Sequence, residues 1–186
     1  MNLTGKFLIA MPAMKDPFFE HSLIYVCEHN AEGALGLILN RPTELTVGSL
    51  YEKIDLGLQN PAFQDQPVYF GGPVQTDHGF VLHRPLGNWQ STLRVDDNIG
   101  LTSSRDVLES LATGPSPMRS NDMLVMLGYT GWGAMQLEHE IRDNSWLSLD
   151  ASATIIFDTE HEARAPAAMA MLGFDYSQLS GVAGHA

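Results

Sequence analysis

Two apolar runs, Leu23-Ile-Tyr-Val-Cys-Glu-His29 and Ala34-Leu-Gly-Leu-Ile-Leu39, flank a short polar segment at residues 30–33. Both runs are rich in β-branched, aromatic or large aliphatic residues, which favour strands. The Asn and Gly residues between them are typical of a turn. This part of the sequence therefore predicts a β-hairpin.

Further strands are predicted by other short apolar runs that are bounded by turn residues. They are expected at residues 7–10, 68–70, 80–82, 92–95, 123–127, 146–149 and 154–157.

Helix signals are fewer and irregularly spaced. Thr46 is expected to cap a helix that ends near Ile54, and Ser103 with Asp106 resembles a capping box. That second helix is expected to end at Gly114 and Pro115. Residues 128–133 are expected to form a loop that leads into a third helix at residues 134–141, and an Ala-rich helix is expected to end at Gly173.

Because these helices do not alternate regularly with strands, the order argues against a doubly wound parallel sheet. We expect an α+β fold with a mixed or antiparallel, barrel-like sheet. A chain of 186 residues can bury one core without a disulfide or a metal, so we expect a single domain over residues 1–186. Its last few residues are expected to be mobile.

Composition narrows the range of functions. The formal net charge of -12, from 22 acidic and 10 basic residues, disfavours direct binding to nucleic acid, which needs clustered Lys and Arg. The single cysteine, Cys27, fits a reducing compartment. No leader or membrane-spanning segment is recognisable, so we expect a cytoplasmic protein.

Two segments repeat the pattern of Gly, three apolar residues, a polar residue, Arg and Pro, at 36–42 and 79–85. Two explanations remain open: similar strand endings that arose independently, or a duplicated β-unit that places Arg41 and Arg84 at equivalent strand ends. Arginines in an acidic protein can attract an anion. Asn40, Arg41, His83 and Arg84 are therefore candidate ligand-binding residues.

Two glycine-rich segments are also candidates, because glycine lets a backbone approach a ligand closely. Gly71 and Gly72 can serve this purpose or simply form a tight turn. The second segment contains Tyr129, Thr130, Gly131 and Trp132. It can present helix N–H groups to an anion, or its glycines can pack around the large indole.

Catalytic and metal signatures are weak. Cys27 and His29 are two apart in a strand and should point to one side, as a thiol activated by an imidazole would require, although a buried structural cysteine explains them as well. His139 and Asp143 resemble a zinc-binding helix motif with one ligand replaced, or a solvated helix face. We expect no metal and no cofactor, and we favour a protein that is not an enzyme.

The sequence resembles the AlgH/YqgE family of bacterial proteins, some of which are named as transcriptional regulators. The resemblance follows the chain in order through most of its length. The matching segments are Leu8-Ile-Ala-Met-Pro12, Gly33-Ala-Leu-Gly-Leu-Ile-Leu-Asn-Arg-Pro42, Phe70-Gly-Gly-Pro-Val74, Leu127-Gly-Tyr-Thr-Gly-Trp-Gly133, Gln136-Leu-Glu138 and Asn144-Ser-Trp146.

The resemblance implies a forked sheet with a small β-barrel, flanked by helices, and no established cofactor or catalytic group. It differs where the family normally has an Arg-Trp pair at the start of the last helix, because Arg164 is followed by Ala165 and Pro166. The last helix should therefore start or kink at Pro166.

Three functions remain open. The first is a regulatory protein that binds a small anionic ligand or a protein partner. The second is a transcriptional regulator that acts indirectly or on DNA. The third is a hydrolase or thiol-dependent enzyme that uses Cys27, His29 or Glu138. The sequence does not indicate the oligomeric state.

Overall fold

The computed structural model describes residues 1–113, 118–175 and 177–179. Strands and α-helices are interspersed along these ranges. The strands are β1 (Lys6–Ala10), β2 (Leu23–Asn30), β3 (Gly33–Ile38), β4 (Pro42–Thr46), β5 (Pro67–Phe70), β6 (Val74–His83), β7 (Thr92–Arg94), β8 (Gly100–Thr102), β9 (Met123–Gly133) and β10 (Trp146–Asp150). The α-helices are α1 (Val47–Lys53), α2 (Pro61–Gln64), α3 (Asp106–Ala112), α4 (Gln136–Arg142), α5 (Ala153–Phe157) and α6 (His161–Met171).

All ten strands belong to one curled sheet that forks at β9. The main path runs β10-β1-β2-β3-β9-β6-β8-β7, and every neighbouring pair along it is antiparallel. The first half of β9 also pairs in parallel with β5, which in turn carries β4. The expected α+β class with a forked, mixed sheet is therefore confirmed.

Three groups of buried apolar residues fill the space around this sheet. One face of β1, β2 and β3 packs against α5 and α6. The opposite face packs against Leu137 of α4 and the indoles of Trp132 and Trp146. The side of β6 and β9 that carries Val81, Met123 and Val125 packs against α1, α2 and α3. None of the helices in the described ranges is long and apolar enough to cross a membrane.

The expected hairpin and the cap of the first helix are both present. β2 and β3 pair from Ile24 with Ile38 to Asn30 with Gly33. At the start of α1, the Thr46 hydroxyl accepts the Ser49 N–H at 3.1 Å, and the Ser49 hydroxyl accepts the Thr46 N–H at 3.0 Å.

Residues 154–157 were predicted to be a strand, and this is wrong because they lie in α5. Ser152 precedes that helix, and its hydroxyl accepts the Ile155 N–H at 3.4 Å. The last three residues of the helix, 155–157, are all buried. A short apolar run has no periodicity that separates a buried helix from a buried strand, so the local cap determined the outcome.

The predicted capping box at Ser103 is also wrong. Helix α3 begins at Asp106 with Arg105 in the cap position and no side-chain cap. The Asp106 carboxylate instead receives hydrogen bonds from the Gln90 N–H and the Ser104 hydroxyl. The predicted end of this helix at Gly114 and Pro115 lies outside the described residues.

The last helix begins at His161, five residues before Pro166, so a start at Pro166 is wrong. Its buried residues include Arg164, Ala168 and Met169. The expected mobile segment at residues 180–186 lies outside the described residues.

The predicted loop at residues 128–133 is wrong, because these residues form the second half of β9. Thr130 and Trp132 are buried, while the alternating residues Gly131 and Gly133 are exposed, as expected for a strand with one covered face. Trp132 pairs with Ala34 of β3, so this half of β9 extends the hairpin sheet. The predicted loop before a helix is therefore absent from residues 128–133, and a ligand role for Tyr129, Thr130, Gly131 and Trp132 stays a prediction.

Both glycine segments meet at the fork of the sheet. Gly71 donates its N–H to the Leu127 carbonyl at 2.8 Å, and the Thr130 hydroxyl donates to the Gly71 carbonyl at 3.3 Å. A Cβ placed on Gly72 would lie 2.2 Å from the carbonyl carbon of Tyr129. The two backbones are so close that a side chain would not fit between them. This close contact is enough to explain why glycine occurs at these positions, and no ligand has to be invoked.

Candidate functional site

Cys27 and His29 do not form a catalytic pair, because β2 contains a β-bulge between Val26 and Glu28. The extra residue reverses the alternation of side chains, so Cys27 packs in the core beneath α5 and α6, whereas His29 pairs with Ala34 on the opposite face. Burial raises the pKa of the Cys27 thiol far above its ordinary value. The expected alignment of these two side chains on one face is wrong.

His29 instead forms a buried link with Glu138. Its Nδ1 accepts the Leu3 N–H at 3.0 Å, so the ring proton is on Nε2, which lies 2.8 Å from the Glu138 carboxylate. The pKa of Glu138 is lowered by a hydrogen bond from its own backbone N–H and then by His29. With both ring nitrogens occupied, the imidazole holds β2, α4 and the N-terminal segment together.

Asn40 and Arg41 bond to the segment that precedes β2. The Asn40 side chain accepts the Leu23 N–H and donates to the His21 carbonyl, both at 3.0 Å. Arg41 donates to the carbonyl of Pro17 at 3.0 Å and to that of Glu20. A ligand role for these two residues stays a prediction.

Arg41 and Arg84 do not occupy equivalent strand ends, since β3 stops at Ile38 while β6 continues to His83. The two arginines also bond to different partner sets. The repeated pattern at 36–42 and 79–85 is therefore a similarity of sequence more than of position.

His83 is completely buried, and both of its ring nitrogens are hydrogen-bonded. Nδ1 lies 2.9 Å from the Pro85 carbonyl, which can only accept, so Nδ1 carries the proton. Nε2 therefore accepts from the Thr102 hydroxyl at 2.7 Å, and Thr102 is in turn 2.7 Å from the Thr92 hydroxyl. Burial lowers the pKa of His83, because the charged imidazolium would lose its hydration.

This burial predicts a pH dependence of stability. Since the folded pKa of His83 lies below the ordinary value of about 6.5, the unfolded chain binds the proton first as pH falls. We expect the free energy of unfolding to be constant above that value and to fall, by at most about 1.4 kcal/mol per pH unit from this group, as pH drops through it. Urea titrations from pH 8 to 5 measure this.

The control for this pH dependence is the variant His83→Gln, whose side chain retains hydrogen-bonding groups but cannot titrate. We expect its stability to vary less with pH between 7 and 5. Acidic groups with a lowered pKa, such as Asp158, lose their contribution to stability only near and below about pH 4, the ordinary range of carboxyl groups. The pH range of their effect is therefore separate from that of His83. Equal slopes for the two proteins would contradict this origin of the pH dependence.

Arg84 lies at the end of β6 and bonds to two carboxylates. Its Nε is 3.0 Å from Asp122, its Nη2 is 2.7 Å from Asp158, and its guanidinium lies 4.8 Å from the centre of the Phe157 ring. Asn121 donates to the same Asp158 oxygen at 2.6 Å. These bonds hold the pKa of Asp158 below its usual range, with Arg84 as the largest cause. Arg84 therefore fixes the end of α5 against residues 120–122, which form a short 3-10 helix.

Trp132 is a core residue, and its indole N–H donates to the Glu140 Oε2 at 2.8 Å. The Trp146 indole donates to the same oxygen, also at 2.8 Å, and Gln136 donates to Oε1 at 2.9 Å. Glu140 thus satisfies two buried indoles from one position on α4. Tyr129, the other aromatic candidate, packs edge-to-face on Phe80 with ring centres 5.8 Å apart.

The helix motif at His139 and Asp143 has no ligand geometry. His139 is exposed on α4, and Asp143 is the residue that ends the helix. Within the described residues, no group of three His, Cys, Asp or Glu side chains could hold a metal ion.

One of the polar clefts is lined by a buried arginine, and we name it the Arg164 cleft. It has a volume of about 370 Å³ and lies between the start of β5, the 3-10 helix, the turn from α5 to α6, and α6 itself. Its lining residues with polar side chains are Gln66, Tyr69, Ser120, Asn121, Asp158, Thr159, Glu160 and Arg164. Of these, none was a candidate from the sequence.

Arg164 distinguishes this cleft from an ordinary surface groove. The residue is only 3% exposed. Nε donates to the Thr159 carbonyl at 3.0 Å, Nη1 donates to the Leu39 carbonyl, and the guanidinium lies 5.1 Å from the centre of the Tyr69 ring. In the part of the chain that the structure describes, no carboxylate pairs with Arg164 and Nη2 has no hydrogen-bond partner.

Other side chains that line the cleft are held in place by hydrogen bonds. The Gln66 amide donates to the Ser120 carbonyl, and Asn121 with Arg84 holds Asp158, so these side chains are fixed in place. The carboxylate of Glu160 has no bond or ion pair within the described residues. The cleft thus combines an unpaired buried cation with one uncommitted carboxylate at its rim.

Comparisons with known protein families, sequences and structures agree on one family. A family model described as AlgH-like matches residues 7–177. UPF0301 proteins from Dechloromonas aromatica and from Azoarcus sp. are each 56% identical to this chain; both matches include 100% of the chain, with 98% and 97% of those proteins.

Two solved structures share the fold. The solution structure of the AlgH protein from Pseudomonas aeruginosa matches with a TM-score of 0.80 and 44% identity, over 100% of this chain and 97% of that one. A crystal structure of a protein from Corynebacterium diphtheriae matches with a TM-score of 0.73 at 18% identity, over 96% of this chain and 91% of that one, and it supports the fold alone. The agreement in sequence and structure extends over nearly the whole chain, which therefore belongs to the AlgH-like family.

Proposed function

We propose that this protein is a regulatory protein that binds a small anionic ligand in the Arg164 cleft. The observation that supports the proposal is the state of Arg164, a buried guanidinium without a carboxylate partner that lines an open cleft. Buried charges in proteins are normally paired, because an unpaired charge loses its hydration without compensation. An anion in the cleft would supply the missing charge.

The bonds that Arg164 does make explain its position and leave its charge unmatched. Its two carbonyl partners and the Tyr69 ring hold the guanidinium in place, and they provide only partial negative charge. A guanidinium has five N–H groups, and only two of them have partners here. The free edge at Nη2 is thus a preorganised donor to a ligand.

The sequence suggested that Arg84 contacts a ligand, whereas in this proposal Arg84 holds one wall of the cleft. Asp122 and Asp158 neutralise its charge, so it has little attraction left for an anion. Its contribution is to hold one wall of the cleft, since Asp158 lines the cleft and Arg84 fixes the Asp158 carboxylate. Positioning by Arg84 and charge from Arg164 together define the site.

The test is a thermal-shift screen against a library of anionic metabolites that includes carboxylates and phosphate esters. A ligand that binds only the folded state stabilises it by about 2.7 kcal/mol at 100 times its dissociation constant, which shifts the melting temperature by several degrees. We expect at least one anion to raise the melting temperature in this way. We expect Arg164→Met to abolish that rise.

The matched control is Arg94→Met, which also removes one positive charge but at a residue whose side chain is 64% exposed and far less constrained. It should retain the full ligand-dependent rise. Because Arg164→Met removes two hydrogen bonds and can fold poorly, Tyr69→Phe serves as a second variant. It retains the ring beneath the guanidinium and removes only the hydroxyl of a residue that lines the cleft. The proposal fails if no anion stabilises the wild type, or if Arg164→Met responds like the wild type.

A further inference from the structure

The lining of the Arg164 cleft also restricts the chemistry of its ligand. We infer, on the basis of the proposed binding site, that the ligand is a small zwitterion, a monocarboxylate that also carries a cationic nitrogen and an apolar body. An α-amino acid with an apolar side chain is the simplest member of this class. Charge, hydrogen-bonding capacity and the apolar wall each contribute to the inference.

The cleft offers one positive charge to an anion. Arg84 is neutralised by Asp122 and Asp158, and Arg119 also directs its guanidinium to Asp122, at 3.4 Å. Among the described residues that line the cleft, Arg164 is therefore the one positive charge without a carboxylate partner. A monoanion matches this single charge, whereas the second charge of a phosphate dianion would face the carboxylates of Asp158 and Glu160 without compensation.

Hydrogen-bonding capacity leads to the same conclusion. Nε and Nη1 of Arg164 each donate one hydrogen bond to a carbonyl, so within the described ranges Nη2 is the one nitrogen of this guanidinium with both N–H groups free. The side-on fork, which grips an anion through Nε and Nη2 together, is therefore not available, because Nε has no second N–H. One carboxylate oxygen is a sufficient partner for Nη2.

Glu160 supplies a negative charge to the lining of the cleft. It occupies the cap position of α6, but its carboxylate makes no hydrogen bond to the helix. Among the described residues it has no cationic partner, whereas the neighbouring Asp158 receives bonds from both Arg84 and Asn121. An ammonium group on the ligand would pair with Glu160 while the ligand carboxylate pairs with Arg164.

Part of the cleft wall is apolar. It is formed by Pro67, Met123, Leu124 and Phe157. The volume of about 370 Å³ lies at the small end of ligand pockets. Such a wall favours an aliphatic or aromatic body of a few carbon atoms between or beside the charged ends.

The test uses L-leucine and two analogues that each lack one charge. 4-Methylpentanoate retains the carboxylate and the apolar body, isoamylamine retains the amine and the body, and inorganic phosphate represents a dianion. Binding is measured by isothermal titration calorimetry on the full chain. We expect leucine to bind at least tenfold more tightly than any of the other three probes.

Two variants assign the ends of the ligand. We expect Glu160→Gln to weaken leucine about tenfold and to leave 4-methylpentanoate unchanged or slightly tighter. Arg164→Met should abolish binding of both. Glu52→Gln, a change at an exposed glutamate of α1 outside the cleft, should alter neither.

The outcomes separate this inference from the proposed function. If 4-methylpentanoate or phosphate binds as tightly as leucine, or if Glu160→Gln does not discriminate between leucine and its des-amino analogue, the zwitterion assignment is wrong while an anion site at Arg164 remains. If none of the four probes binds, the assignment is also wrong, and the metabolite screen then decides whether an anion binds at all.

Discussion

Gly128→Ala is expected to lower the free energy of unfolding by more than about 3 kcal/mol, or to prevent folding altogether. Gly128 has a φ of +73°, a region that residues with a Cβ rarely adopt. A Cβ at this position would also lie 2.2 Å from the Gly72 carbonyl oxygen. The backbone at the fork of the sheet would have to move, which would break pairing between β9 and the Gly71 segment.

Gly79→Ala is the matched control for Gly128→Ala. Gly79 also pairs with β9, opposite Leu127, but a Cβ at this position would have no heavy atom within 4 Å. We expect a change below about 1 kcal/mol in either direction. Chemical denaturation of both variants with guanidinium chloride measures the difference, and equal stabilities would show that the glycine crossing is not needed for the fold.

Glu140→Ala is expected to destabilise the protein by about 2–6 kcal/mol. Trp132 and Trp146 are 6% and 3% exposed, and both indole N–H groups depend on one Glu140 oxygen. Leaving a buried donor without a partner costs about 1–3 kcal/mol for each group. A shift in tryptophan fluorescence should accompany the loss, because water would gain access to both indoles.

Two further variants make that result specific. Glu52→Ala removes an exposed carboxylate from α1 and should change stability by less than about 0.5 kcal/mol. Glu140→Gln retains an oxygen acceptor without the charge, so we expect it to recover part of the loss. A small effect of Glu140→Ala, comparable with that of Glu52→Ala, would contradict the role assigned to the shared carboxylate.

Features with local causes could be predicted from the sequence. The hairpin of β2 and β3 follows from two apolar runs around a turn, and the start of α1 follows from the hydroxyl of Thr46. The forked sheet was expected only because the sequence resembles a known family. No local pattern in the sequence indicates that β9 pairs with three other strands.

The errors arise where distant segments determine the local structure. Residues 128–133 look like a glycine-rich loop, but the Thr130 hydroxyl bonds to the Gly71 carbonyl, 59 residues away. The β-bulge in β2 reverses the side on which His29 lies, and a simple two-residue alternation cannot indicate it. In both cases strand pairing prevailed over the local sequence pattern.

The candidate site was missed for the same reason. Arg164 lies in a segment that reads as an ordinary Ala-rich helix, and its Nη1 bonds to Leu39, 125 residues away. An arginine near the start of a helix that is otherwise rich in small apolar residues was the one available signal, because a helix face composed of alanines tends to be buried. Without the fold, nothing indicates that its charge lacks a partner.

The central position of β9 has a consequence for synthesis on the ribosome. β3, β5 and β6 all form hydrogen bonds to β9, yet all three emerge well before it. Until residues 123–133 leave the exit tunnel, each of these nascent strands has an open edge that can associate with other chains. Completion of the sheet must also await β10, which pairs with β1 from the opposite end of the sequence, so chaperone protection during translation should matter more for this protein than for one with mostly local pairing.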